Sequence, residues 1–353
     1  MTHFKVTIVG AGLIGTMLAH ELAASPRYQV TLLDLVDDAL ENARAMAINA
    51  RLLSYAQPEQ LLSLLQDQDL CVSAVPNRST AQIATIATKA NIHFLDFSKP
   101  NETVTRSLEE LATERSVMLG CGLSPGLVDN LALAFLDETP GASDLTIRVG
   151  VLPRFRVDRL GYGVSWNLDS AIDEYLHPAR IMRDGVIAAT PAMEQHETLT
   201  LDGVALEAFT TSGGVSDVDA FRRRGVRNFT FKTLRYPGHL DYMQFLLHDL
   251  NLRNRRDMLR SLLGTSLARI SEDIVTIYIS AKGTTDDGRV VERSLYRRVT
   301  ADGVQATGSA LGQLSSRYAV ALIDQLASGT LPPAGFINHT AMSQLGRSCL
   351  PPA

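Results

Sequence analysis

Apolar positions in the first third of this chain exchange one period for another. Residues 4–9 (FKVTIV) alternate and are β-branched, a strand pattern, and residues 16–24 repeat at helical spacing behind them. The exchange continues with a strand at 29–33, helical patterns over 39–53 and 59–65, and a buried strand at 69–75. A helix at 78–90, a strand at 92–96, a helix at 102–114 and a strand at 117–121 follow. Strand alternating with helix predicts an α/β domain over residues 1–125, a doubly wound parallel sheet whose ligands bind beyond the carboxyl ends of its strands.

From about residue 145 the pattern changes. Residues 145–151, 199–209 and 228–234 read as strands and 168–176 as a short amphipathic helix. Residues 274–281 and 289–299 read as longer strands joined by a hairpin at Thr285-Asp286-Asp287-Gly288. Strands that follow strands predict a mostly antiparallel sheet, hence an α+β second domain over 126–307. A long helical pattern, 308–326, ends at Gly329 and leads into a proline-rich, polar tail to 353.

The first domain carries a candidate cofactor site. Gly10-Ala11-Gly12-Leu13-Ile14-Gly15 joins strand 4–9 to the next helix. In that context Gly10 permits a tight turn, Gly12 lets backbone approach a pyrophosphate, and Gly15 lets helix and strand pack closely, with the phosphate on the helix N-terminus. Asp34 ends strand 29–33, where a carboxylate accepts from both ribose hydroxyls and repels a 2′-phosphate, which predicts NAD rather than NADP. Ala74-Val75-Pro76 and Cys121 end strands on the same edge. Ser124-Pro125-Gly126 reads as a helix start, with Ser124 as N-cap and Pro125 at the first helical position, turned toward nicotinamide or substrate.

Composition narrows the partners. A chain of 353 residues suits about two domains, and a net charge of −5 gives no basic patch for nucleic acid or an anionic membrane. A small molecule is the expected partner. The three cysteines, Cys71, Cys121 and Cys349, have no metal-ligand spacing, so no metal is expected and a reducing compartment suits them. The chain opens on a strand pattern and holds no apolar run of about 20 residues, so the expected location is the cytoplasm.

The second domain holds polar residues that call for a reason. "NLDSAIDEYLHPAR" puts Asp169, Asp173 and Glu174 on one helix, where Asp173 and Glu174 read as charged surface. "EAFTTSGG" places Thr211 before two glycines, and "FKTLRYPGHLDYM" gathers Lys232, Arg235, Tyr236 and His239 about a Pro-Gly turn. Arg154, Arg156, Arg159 and Arg222-Arg223-Arg224 read as solvated surface, with carboxylate binding as the other reading.

"GCGLSPGLVDN", "GYGVSWNLDSAIDEYLHPARIMRDG", "EAFTTSGG" and "TLRYPGHLDYMQFL", in that order behind the glycine turn, resemble the saccharopine dehydrogenase family. Within it they are most similar to the lysine 6-dehydrogenases and their bacterial relatives. The resemblance spans residues 4 to 331 and implies a Rossmann domain, an α+β domain whose sheet makes a homodimer, and a segment 308–353 that returns to the first domain. It carries Gly10, Gly12 and Gly15 onto the dinucleotide turn, Asp34 onto the ribose, and Asp96 onto an acidic strand end. It also carries Ser124, Pro125, Gly126, Asn130, Asp169, Arg235 and His239 onto the substrate side, where Thr211 and Tyr236 adjoin them. The implied reaction is NAD-dependent oxidation of a C–N bond of an amino acid, with the side-chain amine of lysine or a similar diamino acid as substrate. Asp96 or His239 is then the expected base, and Arg235 with the Ser124 helix start the expected carboxylate site. An arginine-rich "VLPRFRVDRLGYGV" keeps a secondary-amine substrate such as saccharopine or a carboxylated polyamine open. A non-catalytic NAD(H) sensor is the third reading.

Overall fold

The structure, a computed structural model, describes residues 3–46, 48–54, 57–156, 158–163, 167–270, 272–301, 309–342 and 344–351. They form two compact units, Met1–Leu127 with Gly312–Leu350, and Val128–Leu311 with the last three residues. The domain boundary expected between 307 and 308 lies outside the described residues.

In the first unit β1 (Phe4–Val9), β2 (Tyr28–Asp34), β3 (Arg51–Ser54), β4 (Leu70–Ser73), β5 (His93–Asp96) and β6 (Ser116–Leu119) run parallel in the order β6-β5-β4-β1-β2-β3. A two-residue strand, Gly335–Phe336, extends the sheet beyond β6. Val9, Leu33, Leu65, Phe94, Ile83 and Val117 form its core. The order reverses between β1 and β4, the crevice where doubly wound sheets bind ligands. The helical pattern over 39–53 is broken: Glu41–Ala45 is helical, but Arg51–Ser54 pairs with β2, because edge pairing overrides the period of so short an apolar run.

The second unit contains β7 (Ala142–Pro153), β8 (Ala179–Arg183), β9 (Val186–Thr190), β10 (Glu197–Leu201), β11 (Val204–Thr210), β12 (Asn228–Arg235), β13 (Asp273–Thr284) and β14 (Val290–Thr300). The path runs β10-β11-β12-β7-β13-β14, with β8 paired to β12 and β9. Only β12 and β7 pair in parallel among them. The single strand expected over 199–209 is a hairpin, turned at Asp202 and Gly203 with φ of 52° and 73°. Asp184 and Gly185, with φ of 48° and 80°, turn the hairpin β8–β9, which the hydrophobic pattern missed. The helices Leu168–Leu176 and His239–Gln244 pack Ile172, Tyr175, Leu240 and Met243 with Phe209 on one face of the sheet.

Candidate active site

The first unit builds a cradle at the carboxyl ends of β1 and β4. Gly10 has φ +109°, and a Cβ there would stand 2.5 Å from the Ala74 carbonyl oxygen. A Cβ on Gly15 would stand 1.9 Å from the Gly10 oxygen. Both glycines are therefore required by the protein's own packing. Gly12 is different: a Cβ there would meet nothing within 4 Å. It precedes the helix Leu13–Ala23, whose first turn has no side-chain cap and no acidic residue. Leu13 and Ile14 thus present backbone N–H groups with a partial positive charge, and the residues fit a dinucleotide pyrophosphate.

Asp34 secures this turn. Its Oδ2 accepts the Ala11 N–H at 2.7 Å and its Oδ1 the Val36 N–H at 3.1 Å. A carboxylate has about four lone-pair sites, so acceptor capacity remains for ribose hydroxyls. Ala74 donates its N–H to the Val9 oxygen at 2.8 Å, and Pro76 leads into the helix Asn77–Ala90, so Ala74, Val75 and Pro76 border the same crevice.

Three expectations in this unit change. Ser124-Pro125-Gly126 is not a helix cap: it is a turn with a cis Ser124–Pro125 peptide, and the helix starts only at Leu127. The Gly122 N–H reaches the Pro125 oxygen at 3.1 Å, and the Leu127 N–H reaches the Gly122 oxygen at 2.9 Å. A Cβ on Gly126 would stand 2.5 Å from the Gly120 and Gly122 oxygens, so packing requires that glycine. Cys121 is fully buried, its Sγ 3.5 Å from His339 Nε2 and its thiol pushed up by burial, which turns its side chain away from a cofactor role. Asp96 is 1 % exposed. Its Oδ1 accepts from the Ser98 N–H at 2.7 Å and the Ser98 hydroxyl at 2.5 Å, and its Oδ2 from the Thr80 hydroxyl at 3.2 Å. Burial pushes its pKa up and the neighbouring hydroxyls of Ser73, Ser98 and Thr80 hold it down; both oxygens are occupied by these donors and closed to solvent.

The second unit buries a directional chain of polar groups. The Leu160 carbonyl, an acceptor only, lies 2.9 Å from His239 Nδ1, so that nitrogen carries the proton. His239 Nε2 then accepts from the Tyr175 hydroxyl at 2.9 Å, and that oxygen accepts from Arg235 Nε at 3.1 Å. Arg235 Nη1 donates to the Leu234 oxygen at 3.0 Å, and the guanidinium lies 4.9 Å over the Tyr162 ring. Glu207 holds the start of the helix His239–Gln244 by accepting from the Leu240 N–H at 2.7 Å and the Gly238 N–H at 3.2 Å.

This arrangement corrects the expectation that His239 titrates near neutrality. Burial first, and the Arg235 charge second, lower its pKa to about 3, which makes the ring a weak proton acceptor; with Nδ1 on Leu160, Nε2 on Tyr175 and the side chain fully buried, it presents no nitrogen to an incoming amine. Arg235 is 3 % exposed, with Nε and Nη1 engaged by Tyr175 and Leu234 and Nη2 turned to Glu174, so it stands behind the cluster and not open to solvent as a carboxylate site. Asp169, expected on the substrate side, lies 3.0 Å from Arg260 Nε and beside Arg256. Tyr236 donates to the Pro153 oxygen at 3.0 Å, and Thr211 and Asn130 are buried. Arg154 pairs with Glu272 at 2.9 Å, and Arg222, Arg223 and Arg224 pair with Asp219, Asp217 and Asp137.

Glu174, read from sequence as charged surface, joins the buried cluster. Its Oε2 lies 3.6 Å from Arg235 Nη2 and its side chain is 25 % exposed. Burial raises its pKa to about 7, with Arg235 pulling the other way. The apolar spacing of Leu168, Ala171, Ile172 and Tyr175 marks the buried face of this helix, and Glu174 flanks it; that was the available signal. A cavity of about 320 Å³ opens beside Tyr175, between Pro178, Pro191, Met193, Leu247 and His248, and neither Glu174 nor Arg235 lines it. Among the described residues no three His, Cys, Asp or Glu side chains converge as a metal site, and no helix is long and apolar enough to cross a membrane.

Residues 6–119 match the saccharopine dehydrogenase NADP binding domain and residues 122–345 the saccharopine dehydrogenase C-terminal domain. Among solved structures, the apo saccharopine dehydrogenase (L-Glu forming) from Saccharomyces cerevisiae superposes with a TM-score of 0.79 at 16% identity, over 98% of this chain and 96% of that one. A myo-inositol dehydrogenase from Corynebacterium glutamicum gives a TM-score of 0.47 at 15% identity, over 99% of this chain and 96% of that one. The first likeness shows a shared fold.

Proposed function

Because the chain belongs to the saccharopine dehydrogenase family of oxidoreductases, we propose that it uses NAD to oxidise a C–N bond of an amino acid, with the side-chain amine of L-lysine or a similar diamino acid as substrate. The observation that carries the cofactor half is Gly12, open where a Cβ would meet nothing within 4 Å, in a turn held by the Asp34 carboxylate. Gly10, Gly12, Leu13, Ile14 and Gly15 would hold the pyrophosphate and Asp34 the ribose. Bound NAD would supply the two-electron acceptor for the hydride of the carbon that carries nitrogen. The chain's own task is to orient the amine and to take its proton, since an ammonium nitrogen has no lone pair to drive C–H cleavage. A cytoplasmic homodimer is part of the same proposal, checked by light scattering.

The test is a panel of lysine, ornithine, saccharopine and carboxylated polyamines with NAD and NADP, followed at the reduced-nicotinamide absorbance. The expected result is reduction of NAD by lysine and not by saccharopine. Asp34→Ser should weaken NAD at least tenfold and narrow its lead over NADP. Silence across the panel, with NADH still bound, would replace the enzyme with the sensor.

A further inference from the structure

Glu174 combines a fixed backbone with a carboxylate that is only partly buried beside Arg235. Its helix, Leu168–Leu176, is pinned at its end by Ser212, whose N–H donates to the Glu174 oxygen at 3.1 Å and whose hydroxyl donates to the Asp173 oxygen at 3.1 Å. The backbone beneath the carboxylate is therefore fixed. The carboxylate itself accepts no hydrogen bond among the described residues, and 3.6 Å to Arg235 Nη2 is beyond hydrogen-bond range. Partly buried, a quarter exposed and without a donor, it is matched to a cationic donor that arrives from outside.

We propose that Glu174 takes the proton from the substrate's ammonium nitrogen, with Arg235, Tyr175 and His239 as positioning residues behind it. The step balances simply: ammonium and carboxylate become neutral amine and carboxylic acid, and the proton then leaves to water through the exposed part of the side chain. Arg235 from β12 is the cation facing this group, while Tyr162, Tyr175 and the neutral His239 stand behind Arg235 and Asp173 precedes Glu174 on the helix. Arg235 keeps the carboxylate ionisable at all in a desolvated setting, and the chain from Arg235 through Tyr175 and His239 to the Leu160 carbonyl fixes where that charge stands. A carboxyl tuned to about 7 is suited to proton exchange at neutral pH.

The proposal rests on amine oxidation as the activity, and its test separates the two. With the amine found in the panel, kcat/KM of the wild type should fall on the acid side of pH 7. Glu174→Gln should lose roughly 10²–10⁴-fold and the acid limb with it, while NADH binding, read by fluorescence, stays within twofold. Glu174→Asp should retain the limb at reduced rate, which a merely structural loss would not do. Arg235→Gln should move the limb to higher pH, since the cation that favours the charged form is gone. Independently of turnover, the carboxyl resonances of ¹³C-glutamate-labelled protein should show one group titrating near 7 that disappears in Glu174→Gln. A Glu174→Gln enzyme within threefold of wild type with its limb intact overturns the role of Glu174 and leaves the activity standing, as does an ordinary carboxylate midpoint in the resonance titration. A wild type that oxidises no amine overturns both.

Discussion

Two buried histidines in this protein obey one rule. His239 gives Nδ1–H to the Leu160 carbonyl and receives the Tyr175 hydroxyl; His339 gives Nε2–H to the Leu119 carbonyl at 2.8 Å and receives the Tyr318 hydroxyl at 2.9 Å. Each ring is neutral because burial disfavours its cation, and for His239 the nearby guanidinium adds to that. The consequence for stability follows from proton counts. A histidine free to protonate near 6.5 when unfolded, but held near 3 when folded, contributes stability that is complete above pH 6.5 and is lost as pH falls toward 3. At about 1.4 kcal/mol per pKa unit the loss through His239 alone approaches roughly 4 kcal/mol. Urea unfolding between pH 3.5 and 7 should show it as a slope, and His239→Gln should lower that slope by about one proton; an unchanged slope would mean that His239 protonates in place.

At the scale of the element, the glycine turn separates packing from binding. Gly15→Ala puts a Cβ 1.9 Å from the Gly10 oxygen and should cost several kcal/mol, of the order of 3 or more, read as a lower midpoint in denaturant. Gly12→Ala meets no atom and should change stability by about 1 kcal/mol or less, an alanine being a poorer N-cap than glycine, while NADH affinity falls at least tenfold. Equal affinity in the two proteins would remove the pyrophosphate from this turn. The turn was legible in sequence because its grammar is local: strand, glycines, helix and acid follow one another within residues 4–34. Ser124-Pro125-Gly126 was misread because the same local grammar describes a helix start, whereas its shape is set by Gly126 packing against the oxygens of Gly120 and Gly122. The hairpin at Asp202-Gly203 was hidden by apolar alternation that continues through Leu201 and Val204 on both sides of the turn. For Glu174 the helix spacing marks a place beside the buried face but not its charge partner. Its setting depends on Arg235, some 60 residues later in the chain, and no spacing within its own helix announces that partner.

For the molecule as a whole, the first unit is a composite of two chain segments, 1–127 and 312–350, so residues far apart in sequence complete it. Gly335 and Phe336 pair with Ser116 and Val117 of β6, the Ile337 N–H reaches the Val117 oxygen at 2.9 Å, and the Ser116 hydroxyl reaches the Pro332 oxygen at 2.6 Å. His339 then buries itself between Leu119 and Tyr318. A chain ending at Gly329 loses all of these at once: β6 becomes an open edge, and the hydrogen bonds of Ser116 and Tyr318 to this segment are lost with it. None of these contacts belongs to the second unit, whose sheet from β7 to β14 is complete within Val128–Leu311. Calorimetry should therefore show the shortened protein losing stability in one transition, the one that NADH raises in the full chain by about 2.7 kcal/mol at a hundredfold excess over its Kd. Limited proteolysis should leave a resistant fragment covering residues 128–311. Unaltered NADH binding by the shortened chain would show that residues 330–353 decorate the dinucleotide unit instead of completing it.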